Sequence, residues 1–226
     1  MSNAKKVAVL SASPKVNEKA VSEWLATRAE SILADDAVET RHINVRNSMA
    51  KKQTDEDFAY MSEADAMLIV FPLYIFCTPG LLTRFLQDYY DFVAARPDGG
   101  KKAAVYTVVN CGFPEPDINR EAVRVIKSFS EKVGAEFRFG LMIGAGGMIL
   151  GTQDAPFTKK AMAKVDGVFA VIKDELLNGR RGAVKNLEIR IKFPRKLYFF
   201  IGDRGWVSTA KKNGLKKKDI FARPYQ

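Results

Sequence analysis

The stretch Met67-Leu68-Ile69-Val70-Phe71-Pro72-Leu73-Tyr74-Ile75-Phe76-Cys77-Thr78-Pro79-Gly80 decides the fold. Its first five residues are uniformly apolar, without the polar alternation of a half-exposed strand. Such a run reads as a central strand of a parallel sheet, covered on both faces. A helical pattern starts at Pro79 and continues to Phe92, with proline where a missing N–H costs nothing. Between strand and helix lies a loop rich in apolar side chains and stiffened by Pro72 and Pro79. Loops at strand ends normally face solvent and are polar. A rigid apolar one reads as a wall for a flat, partly apolar ligand, or as a segment packed on the tail or a second subunit.

The same alternation extends in both directions. Val7–Leu10 is a short apolar strand, and Asn17–Leu33 is a helix with Val21, Trp24, Leu25, Ile32 and Leu33 on one face. Val38–Val45 alternates like a strand nearer the edge, and Thr54–Met61 is a short helix. Ala103–Val109 is a buried strand, Ile118–Val133 a helix, Phe137–Ile143 a fifth strand and Thr158–Leu177 a closing helix. Strands alternating with helices of this length predict an α/β fold: a doubly wound five-stranded parallel sheet with helices on both faces. Its expected extent is residues 1–179, with 180–226 as an extension. Ligands of such sheets bind beyond the carboxyl ends of the strands, so the residues after each strand carry the functional reading.

Ser11-Ala12-Ser13-Pro14-Lys15-Val16-Asn17 follows the first strand. Hydroxyls, a lysine and free amides at a helix start form an anion site, typically for phosphate; the alternative is a Ser/Asn cap without ligand. The stretch is neither a Walker A loop nor G-x-G-x-x-G. Asn110-Cys111-Gly112-Phe113-Pro114-Glu115 follows the fourth strand. Gly112 permits close backbone approach, and Asn110 can donate or accept at a ring edge. Gly144-Ala145-Gly146-Gly147 follows the fifth strand as a tight turn or a loop approached by a second substrate.

Composition narrows the chemistry. One His and two Cys among 226 residues cannot build a multi-His site, a structural zinc site or a Cys-ligated cluster. Two Cys make no disulfide framework, so a reducing cytoplasm is expected, and the N-terminus lacks the layout of a signal peptide. The longest apolar run, Ala66–Cys77, is too short to span a bilayer. The net charge of +10 is uneven: from Arg180 onward there are fourteen Lys/Arg against three acids, whereas the first 179 residues hold twenty-two against twenty-three.

Taken in order, Ser11-x-Ser13-Pro14-Lys15, Pro72-Leu73-Tyr74…Pro79-Gly80-Leu81-Leu82-x-Arg84-Phe85 and Asn110-x-Gly112-Phe113-Pro114-Glu115 resemble the loops of the flavodoxin-like NAD(P)H-dependent FMN reductases. The resemblance covers residues 5–178. It implies a bound FMN, NADPH or NADH as electron donor, and a small acceptor such as a quinone, a flavin, or a nitro or azo compound. It places Ser11, Ser13, Lys15 and Asn17 at the FMN phosphate. Pro72, Leu73, Tyr74, Ile75 and Phe76 fall beside the isoalloxazine ring, and Asn110, Cys111, Gly112 and Phe113 on the second ring-contacting loop. Near positions 18–20 the family has a small hydroxyl residue and an Asn. This chain has Glu18, Lys19 and Ala20, with Lys19 offering a charge in place of a hydroxyl and Glu18 repelling phosphate if turned inward.

A flavin asks a protein to bind, orient and tune it rather than to attack a substrate, so no catalytic side chain and no metal ligand is assigned. His42 reads as structural. Cys77 and Cys111 read as small buried hydrophobes rather than a redox pair. A homodimer is expected. The alternative function is a non-catalytic electron carrier of flavodoxin type, although such carriers are usually strongly acidic. A flavin-free binding protein on the same fold is the third reading.

The tail alternates basic with large apolar residues: Leu187–Phe193 like a strand, Leu197–Ile201 almost without interruption. Its Gly205-Trp206, Lys211-Lys212-Asn213-Gly214 and Arg223-Pro224-Tyr225 resemble the endings of flavodoxin-like oxidoreductases. So much apolar area argues against disorder. The first reading is that it packs on the body or a partner subunit and borders the site. The second is contact with an anionic membrane surface. Nucleic acid is the least favoured.

Overall fold

The computed structural model describes residues 4–16, 18–97, 100–179, 182 and 185–223, which form two compact units, one through Ile191 and one from Lys192. In the first, β1 (Lys5–Ser11), β2 (Val38–Asn44), β3 (Ala66–Pro72), β4 (Ala104–Asn110), β5 (Glu136–Ile143) and β6 (Leu187–Ile189) join in one sheet. The order is β2-β1-β3-β4-β5-β6 and every pairing is parallel. The chain runs outward from β1 to β2, then crosses back to β3. The topological switch point therefore lies between β1 and β3, where such sheets bind ligands.

The sequence predicted five strands and the sheet has six. Leu187-Glu188-Ile189 pairs with Leu141-Met142-Ile143 as an added edge. The pairing continues at both ends: Gly140 N–H donates to Asn186 Oδ1 at 2.8 Å, and Gly144 N–H to the Ile189 carbonyl at 3.0 Å. The alternation of Leu187–Phe193 is strand over Leu187–Ile189 alone, with one buried side chain, Ile189, and the pattern does not say which sheet such a segment joins.

Side chains of a strand alternate between faces, which splits the core in two. Ala8, Leu10, Met67, Ile69, Phe71, Val105 and Val109 share a cluster with Phe58, Leu82, Phe85 and Ile126. That face is covered by α3 (Thr54–Glu63), α4 (Gly80–Ala94) and α5 (Arg120–Lys132). The opposite face meets α1 (Val21–Leu33) and α6 (Pro156–Asn178), which pack on each other and are tied by the Arg28–Asp166 ion pair. A short α2 (Val45–Ala50), which the sequence does not announce, follows β2. Under α6, buried Glu175 accepts from the Tyr106 hydroxyl at 2.7 Å and from Arg138 Nη2 at 3.0 Å. The carboxylate raises the Arg138 guanidinium further above its ordinary value, so this pair stays charged and satisfied.

The second unit is α7 (Arg195–Lys212) followed by a 3₁₀ turn, Lys217–Phe221. Leu197–Ile201, nearly continuous in apolar character, is therefore helix. Among the described residues no helix is long and apolar enough to cross a membrane, and no three His, Cys, Asp or Glu are grouped to hold a metal ion.

Candidate functional site

Four loops leave the carboxyl ends of β1, β3, β4 and β5. The first begins with Ala12, whose N–H donates to the Val70 carbonyl at 3.0 Å and fastens the loop beside β3. Ser13 Oγ accepts from the Lys15 amide at 3.3 Å. The amides of Ser13, Val16, Glu18 and Lys19 donate to no described residue. The helix expected from Asn17 starts at Val21, and its N-cap, Ala20, has no side chain able to accept from the first turn. Amides at a helix start concentrate positive potential. Exposed Lys15 adds to it, holding Glu18 Oε2 at 2.7 Å and pushing that carboxyl below its usual range. Glu18 is thus neutralised by its neighbour. Lys19 is exposed beside it; Asn17 lies outside the described residues.

Ser11 is placed differently. It is buried at the end of β1, on the α1 face with Val7 and Val9, and its Oγ lies 2.9 Å from His42 Nε2. The other ring nitrogen of His42 meets Glu30 Oε2 at 2.9 Å. The single histidine therefore links β1, β2 and α1. The structure gathers Ser13, Lys15 and Lys19 on the loop but commits the Ser11 hydroxyl beneath the helix. Nothing local in the sequence announces this link, because its three residues lie far apart in the chain.

The second loop is the least expected piece of geometry. Leu73 N–H donates to the Asn110 carbonyl at 2.8 Å, anchoring the loop to β4. Tyr74 and Cys77 then exchange both backbone bonds, at 3.0 and 2.9 Å, closing a two-residue turn. Its central residues Ile75 and Phe76 have φ of 47° and 59°. Such turns normally hold Asn-Gly; a β-branched residue there is strained, at roughly 1–2 kcal/mol per residue. The turn also displays apolar side chains to solvent, Ile75 at 92% exposure and Phe76 at 59%.

The third and fourth loops face it. The Phe113 ring lies parallel to that of Phe76, centroids 6.0 Å apart, so both loops contribute to one aromatic shelf. Asn110 is buried, its amide donating to the Phe71 carbonyl at 3.3 Å. Cys111 is also buried, with its N–H on the Ile143 carbonyl at 3.0 Å; burial pushes its thiol up. Gly112 is exposed, with open space where a Cβ would stand. The β5 loop closes on the β4 loop through Ala145 N–H to the Phe113 carbonyl at 2.6 Å and Gly146 N–H to the Cys111 carbonyl at 2.7 Å. A Cβ at Gly146 would stand 2.8 Å from Asn110 Oδ1, so only glycine lets these loops meet. Cys77 and Cys111 are both unbridged thiols.

The arrangement offers an anion-binding end at the start of α1 and an apolar, partly aromatic end formed by Tyr74, Ile75, Phe76 and Phe113, at the switch point of a parallel sheet.

No protein-family model matches this chain, and no curated protein matches it. Solved structures do. An NADH:FMN oxidoreductase in its apo form aligns with a TM-score of 0.53 at 18% identity, over 74% of this chain and 89% of the other. An NADPH-quinone reductase from P. pentosaceus aligns with a TM-score of 0.55 at 13% identity, over 77% and 98%. General stress protein 14 from Treponema denticola, solved with FMN, aligns with a TM-score of 0.55 at 17% identity, over 76% and 99%. What this chain shares with them is the flavodoxin-like α/β fold.

Proposed function

We propose that this chain is an FMN-dependent oxidoreductase that takes hydride from NADH or NADPH and passes electrons to a small acceptor: a quinone, a flavin, or a nitro or azo compound. The observation that carries the reading is the strained Tyr74–Cys77 turn, which exposes Ile75 and sets Phe76 opposite Phe113. Strain of this kind is kept where the displayed groups have a use. The donor set fits FMN at both ends. Amides that donate to no described residue, with Ser13 and Lys15, suit a phosphate, and an exposed aromatic shelf suits a flat ring system. The likeness to solved FMN-linked reductases supports the same reading.

FMN supplies the redox chemistry when bound, accepting hydride from a nicotinamide and passing electrons on. The chain's part is to hold and shape. Lys15 and the loop amides neutralise phosphate charge. Ile75, Phe76 and Phe113 exclude water from one side of the ring site. Gly112 and Gly146 keep the β4 and β5 loops thin enough for a second substrate to approach. A homodimer in the cytoplasm completes the reading.

The purified protein, reconstituted with FMN, should show the visible spectrum of an oxidised flavin. That spectrum should bleach on anaerobic titration with NADPH or NADH. Failure to retain or take up FMN would remove the proposal. A bound flavin that neither nicotinamide reduces would make the chain an electron carrier instead.

A further inference from the structure

We propose that the second unit, from Lys192 onward, is a docking surface for an anionic lipid bilayer. Nothing in this depends on a bound flavin. The unit carries ten Lys/Arg against two acids, Asp203 and Asp219, while the chain before it holds twenty-six against twenty-four. Its apolar residues are not tucked away: Phe200, Ile201, Trp206 and Phe221 are all exposed, Trp206 at 73% and Phe221 at 75%. At 100° per residue, the five residues Leu197–Ile201 pass right around α7. This single apolar turn is flanked by Arg195 and Lys196 before it and Arg204 after it, so apolar rings and cations share one short stretch of the helix.

Cations stand at the level of the rings. The Arg204 guanidinium lies 4.7 Å over the Phe200 ring, and that of Arg195 lies 5.3 Å over Phe199. Within the unit a hollow of about 850 Å³ is lined by Phe200, Trp206 and Phe221 together with Asp203, Arg204, Lys211 and Lys217. Exposed rings and cations on one surface match the boundary between acyl chains and acidic headgroups, where long basic side chains keep their heads in water. Two other occupants fit less well. A second copy of this unit would bring like charges together. A nucleic acid would stack on the aromatic rings and pair with the cations, but it gives no use to exposed Leu197, Ile201 and Ile220.

The test is flotation of the full chain with vesicles of phosphatidylcholine alone and of phosphatidylcholine mixed with phosphatidylglycerol, at low and raised salt. The chain should float with the anionic vesicles at low salt and be released by salt. It should ignore the neutral ones. Each basic residue at such a surface multiplies partitioning about five-fold, so Arg204→Gln with Lys211→Gln and Lys217→Gln should weaken flotation on the order of a hundred-fold. Trp206→Ser with Phe221→Ser should weaken it as well. In a Trp24→Phe background, Trp206 emission should shift to the blue on anionic vesicles. That readout keeps the idea testable in an otherwise unaltered chain if the other variants fold poorly.

No flotation at low salt overturns the proposal, as does equal flotation with neutral vesicles. Self-association by light scattering that Trp206→Ser abolishes, without vesicle binding, assigns the surface to a second copy. Binding to RNA or duplex DNA that ignores the aromatic substitutions, with no lipid binding, assigns it to a polyanion.

Discussion

Ile75 and Phe76 hold left-handed backbone that neither residue favours, and the consequence can be read in two directions at once. Ile75→Gly relieves the strain and removes an exposed apolar side chain, at the cost of chain entropy when unfolded. Flavin-free protein should therefore gain about 1 kcal/mol in urea unfolding, while affinity for FMN falls. A variant that loses both stability and affinity would mean that the turn is held by contacts rather than strained. The sequence showed that this loop is apolar and rigid, but not this conformation: the usual signature is Asn or Gly, and neither is present. Cys111 carries a second residue-scale expectation. Burial raises its thiol pKa, with hydrogen bonds to the sulfur from the Phe113 backbone and the Asn119 side chain only partly opposing. The neutral thiol's contribution to stability is whole below the unfolded-state pKa and is lost as pH rises through the higher folded value. A thiol reagent at neutral pH should modify the partly exposed Cys77 of the folded chain and spare Cys111. Equal reaction of both thiols without denaturant would contradict the burial.

At the scale of elements, what could be read and what could not separate by partner number. β1, β3 and β4 are covered on both faces, so Val7–Leu10, Met67–Phe71 and, but for Thr107, Ala103–Val109 are apolar runs that stand out. α1 was expected four residues too early because Asn17 reads as a cap, whereas the helix begins after Ala20. Of the expected phosphate residues, Ser13 and Lys15 sit on the loop. Ser11 is held by His42, a link between β1 and β2 that no local spacing encodes. The weak cap at Ala20 is itself testable. Ala20→Ser gives the first turn an acceptor and should stabilise the flavin-free protein by about 1 kcal/mol. Ala20→Asp should stabilise it at least as much, since the charge also suits the helix N-terminus. The two should then part company on ligand binding: the aspartate repels a phosphate at the same amides and should weaken FMN binding about ten-fold, and the serine should not. Identical flavin affinities for both variants would place the phosphate elsewhere.

For the whole molecule, the uneven charge and the sixth strand meet at one question: how much of the last part of the chain belongs to the sheet. Composition changes at Arg180, but the compact unit continues through Ile191, because β6 returns to pair with β5. Arg138 Nη2 donates to the Gly182 carbonyl at 2.8 Å, and Asn186 accepts from Gly140, so these described residues of the connection are also tied down. The sequence showed a strand-like alternation over Leu187–Phe193 but placed it in a basic extension, since a sheet edge tolerates outward charges that a central strand would not. The two boundaries make opposite expectations for truncation. Ending the chain after Ile191 keeps β6, with Ile189 and Ile191 buried, and should leave the melting temperature within a few degrees of the full chain. Ending it at Gly179 strips both isoleucines, each worth about 1.5–3 kcal/mol, and leaves the β5 edge unpaired. That shorter chain should lose about 3–6 kcal/mol and aggregate on warming, as unpaired edges do. Thermal melts and light scattering of the two truncations decide it: equal stability would mean that β6 is an ornament on a five-stranded sheet, and a large loss confined to the shorter chain would make it part of the fold.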